Sequence, residues 1–217
     1  MSFKSPFAIL SAAALVACGS VPPPDWQVAV AASTRQGVDA YLNGNDRVAE
    51  SAMSRAEREV RRTASVDGLA RVQLMRCAAQ VAAAQVPTCA RASELLDVAP
   101  DTRAYAEYLA AAPLSDEALA RLPAQQRAAA KALPTEAAKA LEEIPDAWSR
   151  LVAAGVMWRA QRISLEAVSV AVDTASQQGW TRAVGHWLQI QKEMFQVAGR
   201  TQDAERVQRR IDVLLAQ

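Results

Sequence analysis

Apolar residues recur at helical spacing along most of the chain. In residues 46–62, one helical face collects Val48, Ala49, Ala52, Met53, Ala56 and Val60, and such spacing is typical of a helix with one buried side. Long alternating runs of Val, Ile and Thr, which are typical of strands, do not occur. We therefore predict an almost purely α-helical (all-α) fold, with a helix beginning at Pro100-Asp101 and others over residues 26–43, 46–62, 67–84, 88–96, 115–121, 124–132, 135–143, 146–160, 164–178, 180–198 and 201–216.

Residues with end-of-helix preferences stand at several of these boundaries. Asp25, Ser164 and Thr201 precede apolar-periodic segments, and their side chains can accept a hydrogen bond from a free N–H of the first helical turn. Gly179 and Gly199 directly follow predicted helices, where glycine readily adopts the left-handed conformation that ends a helix. These five residues are therefore predicted to cap helices.

Residues 113–145 form the least regular stretch of the chain. Pro113, Pro123, Pro134 and Pro145 punctuate it, and proline starts or ends a helix rather than continuing it. The three helices predicted here are accordingly short. Any break in the helical stack is expected in this stretch.

Small and aromatic residues recur at defined positions in the first predicted hairpin, namely Gly37, Tyr41, Gly44, Ala49 and Ala56. Their arrangement resembles a tetratricopeptide repeat, in which two antiparallel helices pair within about 34 residues and small side chains let them approach closely. The hairpin departs from that family at the early tryptophan, at one aromatic position and at the closing proline. The resemblance implies helical hairpins stacked as a short solenoid. We expect this solenoid as the architecture, with an irregular helical bundle as the alternative.

The N-terminus has the layout of an export signal. Lys4 precedes an apolar run from Phe7 to Ala17 that only Ser11 interrupts, and this run is too short for a bilayer core, which needs about 20 residues. The run ends at Leu15-Val16-Ala17-Cys18, which resembles the lipobox of bacterial lipoprotein signal peptides.

Lipoprotein processing, which this resemblance implies, divides the chain into three parts. Residues 1–17 are a cleaved signal, and residues 18–24 are a tether that begins with the acylated Cys18. Residues 25–217 are a single all-helical domain. Gly19 follows the cysteine, and by the family's sorting tendency this implies the outer membrane, with the body facing the periplasm. Pro22-Pro23-Pro24 favours a short extended spacer, so the body is expected close to the membrane.

Charge and composition narrow the function classes further. Without residues 1–17, whose only charged residue is Lys4, 23 basic residues balance 23 acidic ones. The short Arg58, Arg61, Arg62 cluster is expected on a solvated helix face, and no basic footprint of a nucleic-acid binder is present. Hydrophobic residues make up 51% of the chain but aromatic residues only 5%, so we expect a core of closely packed, alanine-rich helices.

Cys77 and Cys89 remain once Cys18 is assigned to the lipid. In an oxidising compartment, cysteines 12 positions apart can form a disulfide worth about 3 kcal/mol. Two free buried thiols or half a metal site are the alternatives. A metal site is disfavoured because His186 is the only histidine and no Cys-x-x-Cys pair occurs.

Catalytic motifs are absent from the sequence, and so are cofactor-binding motifs. His186 stands in a helical pattern beside Trp187 and is expected to be structural. Glu50-Ser51 resembles the Glu-Ser pair of lytic transglycosylases, but the Gly-Leu-Met-Gln stretch that follows in that family is missing. Glu50 is therefore expected on a solvated surface.

Three of the five tryptophans, Trp158, Trp180 and Trp187, lie in the C-terminal third. They predict a core cluster, with an exposed anchor for a partner as the alternative.

The leading functional hypothesis is a non-enzymatic, membrane-anchored lipoprotein that offers a concave helical surface to another envelope protein. A peptidoglycan-active enzyme or glycan-binding lipoprotein is the first alternative, and a passive structural lipoprotein is the second. No metal, cofactor or nucleic acid is expected as a ligand.

Overall fold

The chain is all-α, as predicted. A computed structural model describes residues 22–86, 89 and 96–216, and it contains eleven α-helices and no strand in those ranges. The helices are α1 Asp25–Leu42, α2 Asp46–Arg61, α3 Val66–Ala82, α4 Pro100–Leu109, α5 Asp116–Arg121, α6 Ala124–Lys131, α7 Ala137–Glu142 (preceded by a 3₁₀ turn, Pro134–Glu136), α8 Ala147–Arg159, α9 Leu165–Gln178, α10 Thr181–Val197 and α11 Thr201–Leu215. The predicted signal segment, Cys18 and, apart from residues 89 and 96, the helix predicted over 88–96 lie outside the described residues.

Three of the five predicted helix caps are found. Ser164 accepts a hydrogen bond from the N–H of the third residue of α9, and Gly179 and Gly199 both adopt φ +69° after their helices. Asp25 and Thr201 are instead the first helical residues of α1 and α11, and no side chain caps either helix. The N-cap prediction is wrong at these two positions because the backbone turns helical one residue earlier than the capping pattern indicates.

Four other helices end in the same left-handed conformation without glycine. Ala64, Ala84, Ala111 and Gln161 have φ between 53° and 56° and follow α2, α3, α4 and α8. After α3, α4 and α8, the residue that follows the left-handed one donates its N–H to the carbonyl five residues earlier, at 2.9–3.1 Å. These bonds satisfy carbonyls that would be left free at the helix end.

The first hairpin packs through small residues. Ala49 and Ala56 of α2 are 6% and 0% exposed. A Cβ atom added to Gly37 of α1 would lie 2.8 Å from the Cγ of Met53, so glycine lets the two helices approach closely. Gly44, at φ +80°, forms the turn between them.

The last third of the chain returns to this hairpin. Trp180 Nε1 donates to Asp39 Oδ1 at 2.8 Å. Arg182 lies over the ring of Tyr41, 4.2 Å from its centroid, and pairs with Asp46 at 2.7 Å. In an open solenoid each repeat contacts only its neighbours. The packing is therefore that of the irregular bundle, the second of the two predicted architectures.

Helix α8 lies at the centre of the bundle. Every residue from Leu151 to Met157 is buried. A Cβ atom added to Gly155 would lie only 2.0 Å from the carbonyl oxygen of Val81 in α3. The crossing of these two helices therefore requires glycine at this position.

The proline-punctuated stretch forms three short helices, as predicted, and arginines hold their C-terminal ends. Arg127 donates to the carbonyl that follows α5 at 2.9 Å, and Arg162 donates to the one that follows α6 at 2.8 Å. Arg150 of α8 donates to a carbonyl just beyond α7 at 2.7 Å. Cationic donors complement the free carbonyls and negative partial charge of a helix C-terminus.

A buried polar chain fixes α6 in place. Tyr108 Oη donates to Gln126 Oε1 at 2.7 Å, and Gln126 Nε2 donates to the carbonyl of Ser149 at 2.9 Å. Because Gln126 is only 2% exposed, satisfying both ends of its amide avoids the free-energy cost of a buried unpaired polar group. Helices α4, α6 and α8 are joined through this one side chain.

Cys77 and Cys89 lie at disulfide distance, with their Cα atoms 5.6 Å apart. The pair joins α3 to a residue beyond its C-terminus. In the ranges that the structure describes, none of the helices combines the length and the hydropathy needed to span a membrane.

Candidate functional site

An open groove of about 1000 Å³ lies between α1 and α3. Its floor is aliphatic and is formed by Val30, Val38, Val60, Val72 and Met75. Val38, Val60 and Val72 are already buried, so the floor area that a ligand would cover comes mainly from Val30 and Met75. Covering apolar area stabilises a complex by roughly 25 cal/mol per Å². The groove is therefore the candidate binding site.

Helical periodicity builds the walls of the groove. Ten residues of α1 between Trp26 and Asp39 line it. They span more than one face of that helix, since Ala32 and Gln36 lie roughly opposite Val30 and Thr34. On α3, Gly68, Arg71, Val72 and Met75 line it from a single face. A Cβ atom on Gly68 would lie 2.9 Å from Val60 Cγ1, so the start of α3 packs tightly on the end of α2.

Three tryptophans border the groove: Trp26, Trp148 and Trp180. Trp26 and Trp148 are partly buried, whereas Trp180 is 8% exposed and is fixed by its hydrogen bond to Asp39. A fixed aromatic wall presents a large contact area at low conformational cost.

The predicted tryptophan cluster is only partly a core cluster. Trp187 is fully buried and donates from Nε1 to the carbonyl of Ala82 at 2.9 Å. Trp180 borders the groove instead, and Trp158 is partly buried. Sequence reasoning missed Trp26 and Trp148. The spacing of Trp26 from Val30 was the available signal, since it places both on one face of α1.

Four charged residues line the groove, and three of them are engaged. Asp39 accepts the Trp180 indole hydrogen, and Asp146 caps α8 by accepting the N–H of the third helical residue at 2.7 Å. Arg71 pairs with Asp67 at 2.7 Å. Arg35 is exposed and makes no ion pair within the described ranges. The lining therefore holds one unpaired cation, Arg35, and two carboxylates, Asp39 and Asp146, that accept hydrogen bonds from neutral donors and keep their charge.

A second recess of about 530 Å³ continues the groove. It shares Arg71, Met75 and Trp148 with the first and extends to Tyr105 and Arg121. Burial raises the pKa of Tyr105, so this phenol remains protonated and can donate a hydrogen bond. The second recess is also lined by residues 121–127, at the end of α5 and the start of α6. The two recesses adjoin at Arg71, Met75 and Trp148.

Glu50 lies away from this groove and has the wrong environment for a general acid. It is exposed on α2 and hydrogen-bonded to Arg76 of α3, which also contacts Glu57 at 3.3 Å. The Arg76 guanidinium lowers the pKa of Glu50. A glycosidase acid needs a raised pKa, so Glu50 is ionised where that chemistry needs a proton.

His186 joins two helices. Its Nδ1 lies 2.8 Å from the carbonyl oxygen of Ala83, so the ring ties α10 to the end of α3. Among the residues that the structure describes, no group of three or more His, Cys, Asp and Glu side chains is arranged to hold a metal ion.

Comparison with known proteins gives no match. No family model matches the sequence, and neither the curated proteins nor the solved structures contain a significant match. The candidate site is therefore defined by its own geometry.

Proposed function

We propose that this chain is a lipid-anchored protein of the bacterial cell envelope that binds another envelope protein through the α1–α3 groove. In this proposal Cys18 carries the lipid, the outer membrane holds the anchor, and the body faces the periplasm as an assembly accessory rather than an enzyme. The observation that carries the proposal is the open groove of about 1000 Å³ with its aliphatic floor and tryptophan walls.

The composition of the groove supports a protein ligand. Exposed apolar surfaces with a polar rim are typical of protein interaction sites, and tryptophan and arginine are the residues that most often dominate binding energy there. Trp26, Trp148 and Trp180 border this groove, together with Arg35 and Arg71. The aliphatic floor offers little to the hydroxyl groups of a glycan.

The tether supports a partner at the membrane. Residues 18–24 span roughly 20 Å when extended, and the groove begins at Trp26, the second residue of α1. An anchor so close to the groove confines the search for a partner to the membrane surface. This raises the effective concentration of a partner in the same membrane.

In-cell crosslinking tests the proposal. A photo-crosslinking residue is placed at Ala31, which is exposed in the groove, and for comparison at Ser51, which is exposed on α2 outside it. We expect one envelope protein to be captured from Ala31 and not from Ser51. Capture of muropeptides, or of nothing from either site, would contradict a protein-binding function.

The anchor is tested separately. The Cys18→Ser variant should remain unprocessed or become soluble, whereas the wild-type protein should fractionate with the outer membrane. Unchanged membrane fractionation of the variant would contradict the lipid anchor and leave the groove to be judged by crosslinking.

A further inference from the structure

We infer that the outer face of α2 is a membrane-contact surface, which binds the anionic headgroups of phospholipids in the leaflet that holds the anchor. The inference rests on the lipid anchor of the proposed function and adds how the body lies on the membrane. The spacing of five arginines, the charges around them and their position relative to the tether carry it.

Five arginines lie on one side of α2. The positions i, i+4, i+7, i+8, i+11, i+14 and i+15, counted from Arg47, share one helical face. Arginine occupies five of these positions and serine the other two, so no carboxylate interrupts the face. We call it the arginine face, and it consists of Arg47, Ser51, Ser54, Arg55, Arg58, Arg61 and Arg62. All five arginines are exposed, whereas the opposite side of α2 is buried in the bundle.

Three of these arginines have no counter-charge. Within the described ranges, Arg47, Arg55 and Arg58 make no ion pair. The other two pair with glutamates at the edges of the face, at 3.0 and 3.8 Å. Three exposed guanidinium groups are therefore available to an anionic ligand.

The carboxylates of α2 do not cancel the charge of the arginine face. Glu50 and Glu57 pair with Arg76 of α3, and Asp46 pairs with Arg182 of α10. The five arginines and these two partners stand against the four carboxylates of α2, which leaves a surplus of three positive charges. The exposed aspartate at the first position of α1 lowers this surplus to two. The surface around the arginine face is therefore positive although the chain as a whole is nearly neutral.

The arginine face extends to the tether end of the molecule. Val30 of α1 packs against a cluster that contains Val60 of α2, so the last turns of α2 lie beside the first turns of α1. Helix α1 begins directly after Pro24, and the proposed tether of residues 18–24 reaches about 20 Å. The arginines at the C-terminal end of α2 are therefore held within reach of the lipid headgroups.

Anionic phospholipids fit this surface. A guanidinium can donate two parallel hydrogen bonds to phosphate oxygens, and each arginine near an anionic membrane surface strengthens binding about fivefold. The tether favours a membrane over an acidic protein, because the anchor already holds the arginines beside the headgroups. None of the five arginines lines the α1–α3 groove, so membrane contact and partner binding use separate surfaces.

Vesicle cosedimentation tests this inference on the mature chain with Cys18→Ser, in which no acyl chain masks the contribution of the arginines. The probes are vesicles of phosphatidylglycerol, which is anionic, and of phosphatidylcholine, which has no net charge. We expect binding to the phosphatidylglycerol vesicles only. Added salt should weaken that binding, because ions screen contacts between exposed charges.

Two matched double variants locate the contact. Arg55→Gln with Arg58→Gln should weaken binding to phosphatidylglycerol about thirtyfold, at about fivefold for each arginine. Arg209→Gln with Arg210→Gln on α11 is the control, because it removes two exposed arginines that also make no ion pair in the described ranges. The control lowers the net charge equally and should leave binding nearly unchanged. Glutamine has nearly the helix propensity of arginine, so circular dichroism should show the same helix content in both variants.

The outcomes separate this inference from the proposed function. Equal binding to both kinds of vesicle, no binding to either, or equal losses in the two double variants would overturn the inference. A protein captured in cells from Ser51, which belongs to the arginine face, would assign the face to a protein and overturn it as well. Capture from Ala31 and the fractionation of the Cys18→Ser variant judge the groove and the anchor independently of the vesicles.

Discussion

At position 155 the bundle has room for a hydrogen atom and for nothing larger. A Cβ atom there would meet the Val81 carbonyl oxygen at 2.0 Å and its Cγ1 at 2.8 Å, and both helices belong to the core. We expect Gly155→Ala to lower the free energy of unfolding by about 3 kcal/mol, at the upper end for overpacking, as measured by urea denaturation followed by circular dichroism.

Gly185 provides the matched control for this substitution. It is also a helical glycine, but a Cβ atom there would meet only Leu214 Cδ2 at 3.3 Å, the far end of a flexible side chain. Gly185→Ala should change stability by less than about 1 kcal/mol, because alanine's better helix propensity offsets a small repacking cost. Equal losses at both positions would contradict the close approach of α8 to α3.

A substitution at Ala64, which follows α2, is expected to stabilise the protein. Ala64 holds φ 53° and is exposed, and the left-handed conformation costs a residue with a Cβ atom about 1 kcal/mol relative to glycine. We expect Ala64→Gly to increase the free energy of unfolding by about 1 kcal/mol, seen as a higher midpoint of urea denaturation. The same change at Ala128, exposed inside α6, should lower stability by about 1 kcal/mol. A loss at both positions would refute the strain at Ala64.

Among the elements, α3 and α4 are joined at their N-terminal ends by one carboxylate. Asp67 accepts hydrogen bonds from the N–H of Ala99 at 2.8 Å and from Thr102 Oγ1 at 2.7 Å, and pairs with Arg71. Burial acts to raise the pKa of Asp67, but the bonds from Thr102, Arg71 and Ala99 outweigh it and lower the pKa below its ordinary value. The carboxylate is therefore bound more tightly than the carboxylic acid.

This linkage predicts a pH dependence of stability. A lowered folded-state pKa contributes stability that is present above the unfolded value, about 3.9, and is lost as the pH falls through the folded value. Asp67→Asn should therefore cost about 1–2 kcal/mol at pH 7, and the difference from wild type should shrink below about pH 4. A cost for Asp67→Asn that is independent of pH would contradict the assignment.

Local pattern predicts the elements well and their attachments poorly. The helix predicted over 164–178 and the observed Leu165–Gln178 differ by one residue, because the apolar period and the flanking Ser and Gly both act locally. The arginine bonds that hold α6 and α7 connect positions up to 32 residues apart. Nothing near Arg162 in the sequence distinguishes it from an arginine on a solvated face.

For the whole molecule, the fold class follows from local sequence pattern, whereas the packing arrangement of the helices and the groove depend on long-range contacts. Composition and period indicate an all-α protein, but only the return of α10 to α1 decides between a solenoid and a bundle. Trp180 contacts Asp39 across 141 positions, and the groove that it borders exists only after that return. The tryptophans that border the groove together come from three distant stretches, so its composition cannot be predicted from any one of them.

Because α10 packs against the first hairpin, we expect the two ends of the chain to unfold cooperatively, which an open helical stack would not do. Arg182 lies 4.2 Å from the centroid of the Tyr41 ring, and its pair with Asp46 leaves its side chain 16% exposed. Arg182→Ala should remove about 1 kcal/mol, or about a fivefold change in the opening equilibrium. We expect amide hydrogen exchange to accelerate by that factor in α1 as well as in α10, because the two ends of the chain stabilise each other.

Lys192→Ala is the control for this long-range effect. Lys192 is also on α10, but its Nζ contacts Gln208 Oε1 of α11 at 3.0 Å, so its loss should accelerate exchange in α10 and α11 and leave α1 unchanged. In a solenoid, both substitutions would act only on neighbouring helices. Exchange in α1 that is insensitive to Arg182→Ala would therefore show that the closing contact is not coupled to the first hairpin. Coupling would mean that the groove, bordered by α1 and by Trp180, depends on the stability of the whole bundle rather than of its own two helices.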